Sequence, residues 1–212
     1  MEIEKRLSFA VGYAFQRTYL EEDRFTKQLE ILLRLLAKKQ KKFQTFSICD
    51  ASNMFLGTAY RAAKISKFIF DEAQIRVDNP HLYEKLMLVH HDLIDGVIHP
   101  LYALMNYLKL NPVLNLLGTD ASSIKQCFTE AFGKNFEAAR HALAHEDDRM
   151  VRADLIDQTI ISRLSRIQHR ATTGSGFSGL HERFLDGSTF AIDFSEENFL
   201  KLLALISKLI DK

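Results

Sequence analysis

The sequence predicts an all-α protein, a helical bundle of about five to seven helices with a small β-hairpin before the C-terminal helix. Two observations predict this fold class. Apolar residues recur at intervals of three and four over most of the 212 residues. The three prolines and four of the nine glycines are confined to two separate stretches, which leaves the intervening chain free to be helical. We expect one domain over 1–212, with the hairpin at roughly 177–194.

Composition excludes several protein classes. Hydrophobic residues make up 47% of the chain and charged residues 26%, which excludes disordered, collagen-like and coiled-coil chains. The formal net charge of +1 argues against a protein that coats nucleic acid by bulk charge. Cys49 and Cys127 are too few for a disulfide framework. With neither a signal peptide nor an apolar run of about 20 residues, we expect a soluble, cytoplasmic protein without membrane contact.

Two helices are predicted in the first third of the chain. The first covers roughly 22–46, and its apolar stripe consists of Phe25, Leu29, Leu32, Leu36 and Phe43, with basic residues opposite. The second covers roughly 52–77, and its apolar side consists of Phe55, Ala59, Ala62 and Ile69.

The third predicted helix has the most regular pattern. Its apolar residues step by three or four and would lie on one face: Leu82, Leu86, Val89, Leu93, Val97, Leu101, Leu104 and Leu108. Pro100 should kink this helix, because proline removes a donor and clashes with the preceding turn. The pair Asn111-Pro112 is expected to end it.

Two further helices are predicted before the hairpin. The fourth begins near Asp120 or Ser122, either of which can cap it, and runs to about His145. Its buried side is Ile124, Phe128, Phe132, Phe136, Ala139 and Leu143. The fifth covers roughly 154–169 and carries Leu155, Ile156, Ile160, Leu164 and Ile167.

The pattern changes after a glycine-rich loop. Asp186-Gly187 is a two-residue turn signal, and the alternation of Phe190, Ile192 and Phe194 is typical of a strand, so we expect a β-hairpin. Ser195 with the two following glutamates caps the last helix, whose apolar face is Phe199, Leu203, Ile206 and Ile210.

The segment 138–149, with the sequence AARHALAHEDDR, carries the candidate chemistry. His141 and His145 are one helical turn apart, and Arg140 lies beside His141. Arginine presents a planar fork to phosphate oxygens. Histidine can take the proton from a ribose 2′-hydroxyl near neutral pH, and that oxygen then attacks the adjacent phosphate. Such a cleavage requires RNA and no metal ion.

The string RHALAH at 140–145 resembles the motif of the HEPN superfamily (higher eukaryotes and prokaryotes nucleotide-binding), an Arg followed by a polar residue, a short spacer and a His. The residue after the Arg is most often Asn in that family, and here it is His141. The resemblance implies an all-α bundle, commonly a homodimer with two motifs facing each other. It implies a metal-independent endoribonuclease, often in toxin–antitoxin or antiviral defence systems, while other members are non-catalytic RNA- or protein-binding modules.

Carried over by position, Arg140 would hold the phosphate, His145 would be the general acid or base, and His141 would support them. The implied partners are RNA, a second copy of the chain and an antitoxin or defence-system protein, with no cofactor. A surface Arg and a helix-terminal His, favoured there by the helix dipole, remain the structural alternative.

An arginine-rich run follows the motif. Its basic residues are Arg149, Arg152, Arg163, Arg166, His169 and Arg170. The run is either a surface that tracks phosphates or a solvated face with helix salt bridges, and the sequence leaves both open. A second basic patch is more typical of a solvated helix end: Arg34, Lys38, Lys39, Lys41 and Lys42.

Metal-dependent alternatives receive less support. His141 and His145 have a spacing that can hold zinc from one helix face, but the chain has no CxxC and no zincin-type Glu. His90-His91-Asp92 is similar to the HD phosphohydrolase motif but has no His far enough upstream. The face formed by His91, Asp95 and His99 is expected to be an ordinary polar face of the third helix, and the alternative is that it lines the groove opposite the motif.

Overall fold

The computed structural model describes residues 23–40, 47–75, 78–134, 136, 179–183 and 189–211, with scattered helical positions between 5 and 18. It confirms an all-α bundle with a hairpin before the last helix. The elements are α1 (Arg24–Lys39), α2 (Ile48–Ile75), α3 (Pro80–Leu108), α4 (Asn111–Leu117), α5 (Ala121–Phe132), β1 (Gly179–Arg183), β2 (Thr189–Asp193) and α6 (Glu196–Ile210).

A side-chain cap sets the start of α1, and the bounds of the first two helices differ from the predicted ones. The carboxylate of Asp23 accepts a hydrogen bond of 3.0 Å from the Thr26 backbone N–H, so α1 begins at Arg24. It ends at Lys39, earlier than the predicted 46, while positions 41–46 lie outside the described residues. Helix α2 begins at Ile48, four residues before the predicted start.

Helix α3 follows the predicted apolar stripe. Of its eight residues, six are buried and Val89 and Leu93 are half-buried. Pro100 lies inside the helix. The expectation that Asn111-Pro112 ends α3 was wrong, because α3 ends at Leu108 and these two residues form the first turn of α4, where the fixed φ of proline and its missing N–H are tolerated.

The fourth predicted helix is interrupted. Asp120 caps α5 as expected, accepting hydrogen bonds of 2.9 Å from the backbone N–H groups of Ser122 and Ser123. The helix ends at Phe132, however, and a continuous helix to His145 was wrong. Gly133 has φ +91° and ψ 167°, a conformation open essentially to glycine alone, so the chain turns there. Phe136 is helical again, and 137–178, with the fifth predicted helix, lies outside the described part.

The predicted hairpin is present. Strands β1 and β2 are antiparallel, with Leu180 opposite Ile192 and Arg183 opposite Thr189. Ile192 is buried, as is Phe194 just after the strand. The predicted Asp186-Gly187 turn lies outside the described residues. Ser195 then caps α6, as predicted, by accepting a hydrogen bond of 3.2 Å from the Asn198 N–H.

The core lies where α1, α5 and α6 meet the long α2–α3 pair. Phe199 of α6 is its centre, because its ring meets the rings of Phe25, Tyr60 and Phe132 edge to face at 5.3 to 5.8 Å between centroids. These contacts join four helices through one side chain. Within the described part of the chain, no helix combines the length and the apolarity needed to cross a membrane.

Candidate functional site

The candidate catalytic residues fall outside the part of the chain that the structure describes. This holds for Arg140, His141 and His145. It holds equally for the candidate RNA-binding residues Arg149, Arg152, Arg163, Arg166 and Arg170. Their predicted roles stay predictions. The structure describes the residues that precede the motif in the sequence, up to Phe136.

Phe136 is the last described residue before the motif and is fixed in the core. It is 1% exposed, and its ring lies 5.9 Å from Phe128 and 5.6 Å from Phe132, centroid to centroid. Its backbone N–H donates to the carbonyl of Gly133 at 3.2 Å. Arg140 follows four residues later in the sequence. A buried residue, four positions after the end of α5, therefore precedes the motif segment.

A polar cluster around Asp23 ties α1 to α2. Oδ1 of Asp23 accepts from the Thr26 N–H and from the Thr26 hydroxyl at 2.9 Å. Oδ2 accepts from the Tyr60 hydroxyl at 2.8 Å and from Lys64 Nζ at 2.9 Å. The carboxylate thus satisfies a helix N-terminus and two side chains of the neighbouring helix at once.

The pKa shifts of Asp23 and Tyr60 indicate that this cluster stabilises the fold and does not transfer protons. Burial alone would raise the pKa of the Asp23 carboxyl, but the hydrogen bonds from Lys64, Thr26 and Tyr60 together lower that pKa below its usual value. Burial, followed by the hydrogen bond and charge of Asp23 and by the charge of Glu196, raises the pKa of Tyr60 well above its usual value. A tyrosine held protonated and 6% exposed is unsuited to proton transfer with a substrate.

A second polar pair, Ser66 and His90, is buried between α2 and α3. His90 Nδ1 lies 2.7 Å from the Ser66 hydroxyl oxygen and 3.1 Å from the Ser66 carbonyl oxygen. Because a carbonyl oxygen only accepts, the second contact requires a proton on Nδ1. Both residues are 0% exposed, so the ring serves helix packing and is closed to a substrate. This agrees with rejecting an HD-type site at His90-His91-Asp92.

The described side chains on the polar face of α3 do not form a metal site. Asp92 and His99 are exposed and Asp95 is half-buried, while the side chain of His91 lies outside the described set. Over the described residues, no group of three or more His, Cys, Asp or Glu side chains could hold a metal ion. The zinc alternative at His141 and His145 concerns residues that the structure does not describe.

A cleft of about 220 Å³ lies between α5 and α6. Its lining consists of Ser123, Gln126, Cys127, Glu130, Leu205, Lys208 and Leu209. Gln126 Nε2 donates to Glu130 Oε1 at 2.6 Å, and Lys201 Nζ donates to the Glu130 carbonyl at 2.6 Å. The cleft is smaller than the roughly 300 Å³ at which ligand pockets begin.

Comparison of the chain with protein-family models, with curated proteins and with solved structures found no match.

Sequence reasoning missed both the polar cluster around Asp23 and the buried Ser66–His90 pair. An Asp directly before a helix is a capping signal, and the sequence D-R-F-T at 23–26 could have revealed that half of the first cluster. The contact of Asp23 with Tyr60 joins residues 37 apart, and that of Ser66 with His90 joins residues 24 apart. No local pattern predicts such pairs.

Proposed function

We propose that the protein is a metal-independent endoribonuclease of the HEPN type. The observation that carries the proposal is the sequence RHALAH at 140–145, in which an Arg and a His stand five residues apart in a chain whose described part is a helical bundle. The resemblance implies the pairing of these two residues in one phosphodiester site. A nuclease of this kind would act on RNA in the cytoplasm as a homodimer, as a toxin or a defence effector.

The proposed chemistry follows from the two side chains. Arg140 binds the non-bridging phosphate oxygens and stabilises the negative charge that develops on them. His145 takes the proton from the 2′-hydroxyl, whose oxygen forms a bond to phosphorus while the bond from phosphorus to the 5′-oxygen breaks. A proton passes to that leaving oxygen. The expected products are a 2′,3′-cyclic phosphate and a 5′-hydroxyl end.

The described fold supports this proposal in one respect. The motif follows a residue, Phe136, that is buried among Phe128 and Phe132. Arg140 follows this core residue by four positions in the sequence, and a fixed core residue that near along the chain favours the positioning that acid–base groups need.

The decisive experiment is cleavage of a labelled RNA in the presence of EDTA. The wild-type protein is expected to release fragments ending in 2′,3′-cyclic phosphate, and a DNA strand of the same sequence is expected to stay intact. His145→Ala and Arg140→Ala should each lower the rate by roughly 10²-fold or more. The matched controls are His81→Ala and Lys85→Ala, which alter exposed residues outside the motif and should cut normally.

Two results would count against the proposal. If RNA binds and is never cut, the chain is a non-catalytic HEPN-like RNA- or protein-binding module. If cleavage stops with EDTA and returns with zinc, the His141–His145 metal site is the better explanation. Circular dichroism of each variant ensures that a lost rate reflects a lost side chain and not a lost fold.

A further inference from the structure

The outward face of α1 carries a straight line of positive charge. Five residues step by three or four along it: Arg24, Lys27, Ile31, Arg34 and Lys38. All five are exposed. At 100° per residue they fall within about 80° of arc, and at 1.5 Å per residue the line is about 21 Å long. We call these five residues the α1 ridge.

The ridge lies opposite the face by which α1 joins the bundle. The buried residues Phe25, Leu29, Leu32 and Leu36 occupy the inner face. The cations therefore point away from the protein along the whole helix. The sequence predicted basic residues opposite the apolar stripe of this helix and a separate basic patch from Arg34, and the structure shows that the exposed cations begin at Arg24.

Helix α1 is far more positively charged than the net charge of the whole chain suggests. Helix α1 holds five cations, counting Lys39, against the single anion Glu30, a net charge of +4. The whole chain has +1, so the remaining residues sum to −3. Glu30 pairs with Arg34 at 3.7 Å, but the two side chains are 61% and 79% exposed, and such a pair is weak and screened by salt. This pair therefore neutralises little of the ridge's charge.

We infer that the α1 ridge binds the phosphate backbone of single-stranded RNA. A linear polyanion matches a line of cations over several charges at once, whereas a folded acidic protein offers scattered carboxylates. Ile31, 48% exposed in the middle of the line, provides an apolar contact for a base. The inference rests on the proposed function only for the choice of RNA as the polyanion.

An anionic membrane is the competing ligand, and the geometry disfavours it. A helix that lies on a bilayer inserts a broad apolar face among the acyl chains. In α1 that face is already buried in the core, for Leu32 and Leu36 are 0% exposed. Only Ile31 remains on the outward side, too little to anchor a helix in lipid.

The test measures the affinity of a fluorescent 20-nucleotide RNA at salt concentrations between about 50 and 200 mM, with His145→Ala in every protein to prevent cleavage. The ridge variant is Arg34→Gln with Lys38→Gln. The control variant is Lys85→Gln with Lys134→Gln, which removes two exposed cations elsewhere and changes the net charge equally.

The expected result is a specific change in salt dependence. Each phosphate contact on single strands contributes about 0.7 to the slope of log affinity against log salt. Losing two contacts lowers the steepness by about 1.4, so over this fourfold salt range the ridge variant should lose about sevenfold less affinity than its parent. The control variant should keep the parent's slope. Equal slopes for the ridge and control variants would overturn the inference.

Two further measurements separate the possibilities. Vesicles with phosphatidylserine that bind in a ridge-dependent way, without ridge-dependent RNA binding, would overturn the inference in favour of a membrane. Cleavage of a dinucleotide, too short to reach the ridge, reports on the motif alone. A dinucleotide left intact beside ridge-dependent RNA binding contradicts only the proposed nuclease, and a dinucleotide that is cut beside ridge-independent binding contradicts only the ridge.

Discussion

The hydroxyl of Tyr60 donates a 2.8 Å hydrogen bond to Oδ2 of Asp23, joining residues 37 apart in the sequence. The same tyrosine ring stacks on Phe25 at 3.9 Å between centroids and meets Phe199 edge to face. The side chain of Tyr60 thereby binds the capping residue of α1 and also packs in the aromatic core. The N-terminus of α1 is held by tertiary contacts and not by its own cap alone.

Tyr60→Phe is expected to lower the free energy of unfolding by about 1.5 kcal/mol. The change removes a hydrogen bond to a charged acceptor, and the loss falls at the low end for such bonds because Lys64 still pairs with Asp23. Chemical denaturation with urea measures it. The control is Tyr83→Phe, since Tyr83 is half-buried and shows no hydrogen bond among the described contacts. Equal midpoints for the two variants would contradict the assigned role of the Tyr60 hydroxyl.

Stability should fall in acid through Asp23. Its pKa is lowered in the folded protein, so its contribution is complete above the unfolded value of about 3.9 and is lost as pH falls through the folded pKa. Burial raises the pKa of Asp193, so this residue changes stability with pH in the opposite direction. Its effect is the same in the wild type and in the Asp23→Asn variant. Thermal unfolding of wild type and Asp23→Asn between about pH 2 and 6 should therefore give a shallower profile for the variant. Parallel profiles would refute the assignment.

Gly133→Ala should cost more than Gly118→Ala. A methyl group at either position would meet no atom within 4 Å, so the cost is in the backbone. Gly133 has φ +91° and ψ 167°, where alanine loses about 1–3 kcal/mol, whereas Gly118 has the left-handed φ +67° and ψ 37°, which costs about 1. Gly96→Ala, inside α3 with ordinary contact to Ala62 at 3.6 Å, should stabilise instead. Differential scanning calorimetry ranks the three, and any other order contradicts the turn at Gly133.

The sequence predicted those parts of the fold that local rules decide. Apolar spacing located α1, α2, α3 and α6. Residue type alone indicated the cap Ser195 and limited the cap of α5 to Asp120 or Ser122, of which the structure has Asp120. The failures lie where two rules compete. Asn111-Pro112 begins α4 after α3 has ended at Leu108, and Gly133 breaks a pattern that continues in phase through Phe136. Apolar periodicity cannot register such a break, because the core stays on the same side.

The candidate chemistry divides in the same way. Arg140, His141 and His145 were recognised by spacing and resemblance, which are local, and their roles stay predictions. The α1 ridge was predicted in part: the sequence indicated basic residues opposite the apolar stripe, and Arg34 and Lys38 belonged to a named basic patch. The structure adds that Arg24 and Lys27 are exposed on the same line. The Ser66–His90 pair could not be predicted, because it depends on how α2 packs against α3, and neither composition nor apolar spacing determines that packing.

The Ser66–His90 pair gives a prediction that separates structural from catalytic histidines. His90→Ala should lower the free energy of unfolding by about 3 kcal/mol, because it empties a fully buried site and strands the Ser66 hydroxyl. Ser66→Ala should cost about 1 kcal/mol, since Nδ1 keeps the Ser66 carbonyl. His99→Ala, an exposed control, should stay within about 0.5 kcal/mol. Urea unfolding gives these values, and a neutral His90→Ala would contradict the buried ring. At temperatures where it remains folded, His90→Ala should keep the RNA cleavage that His145→Ala loses, because its ring lies in the core.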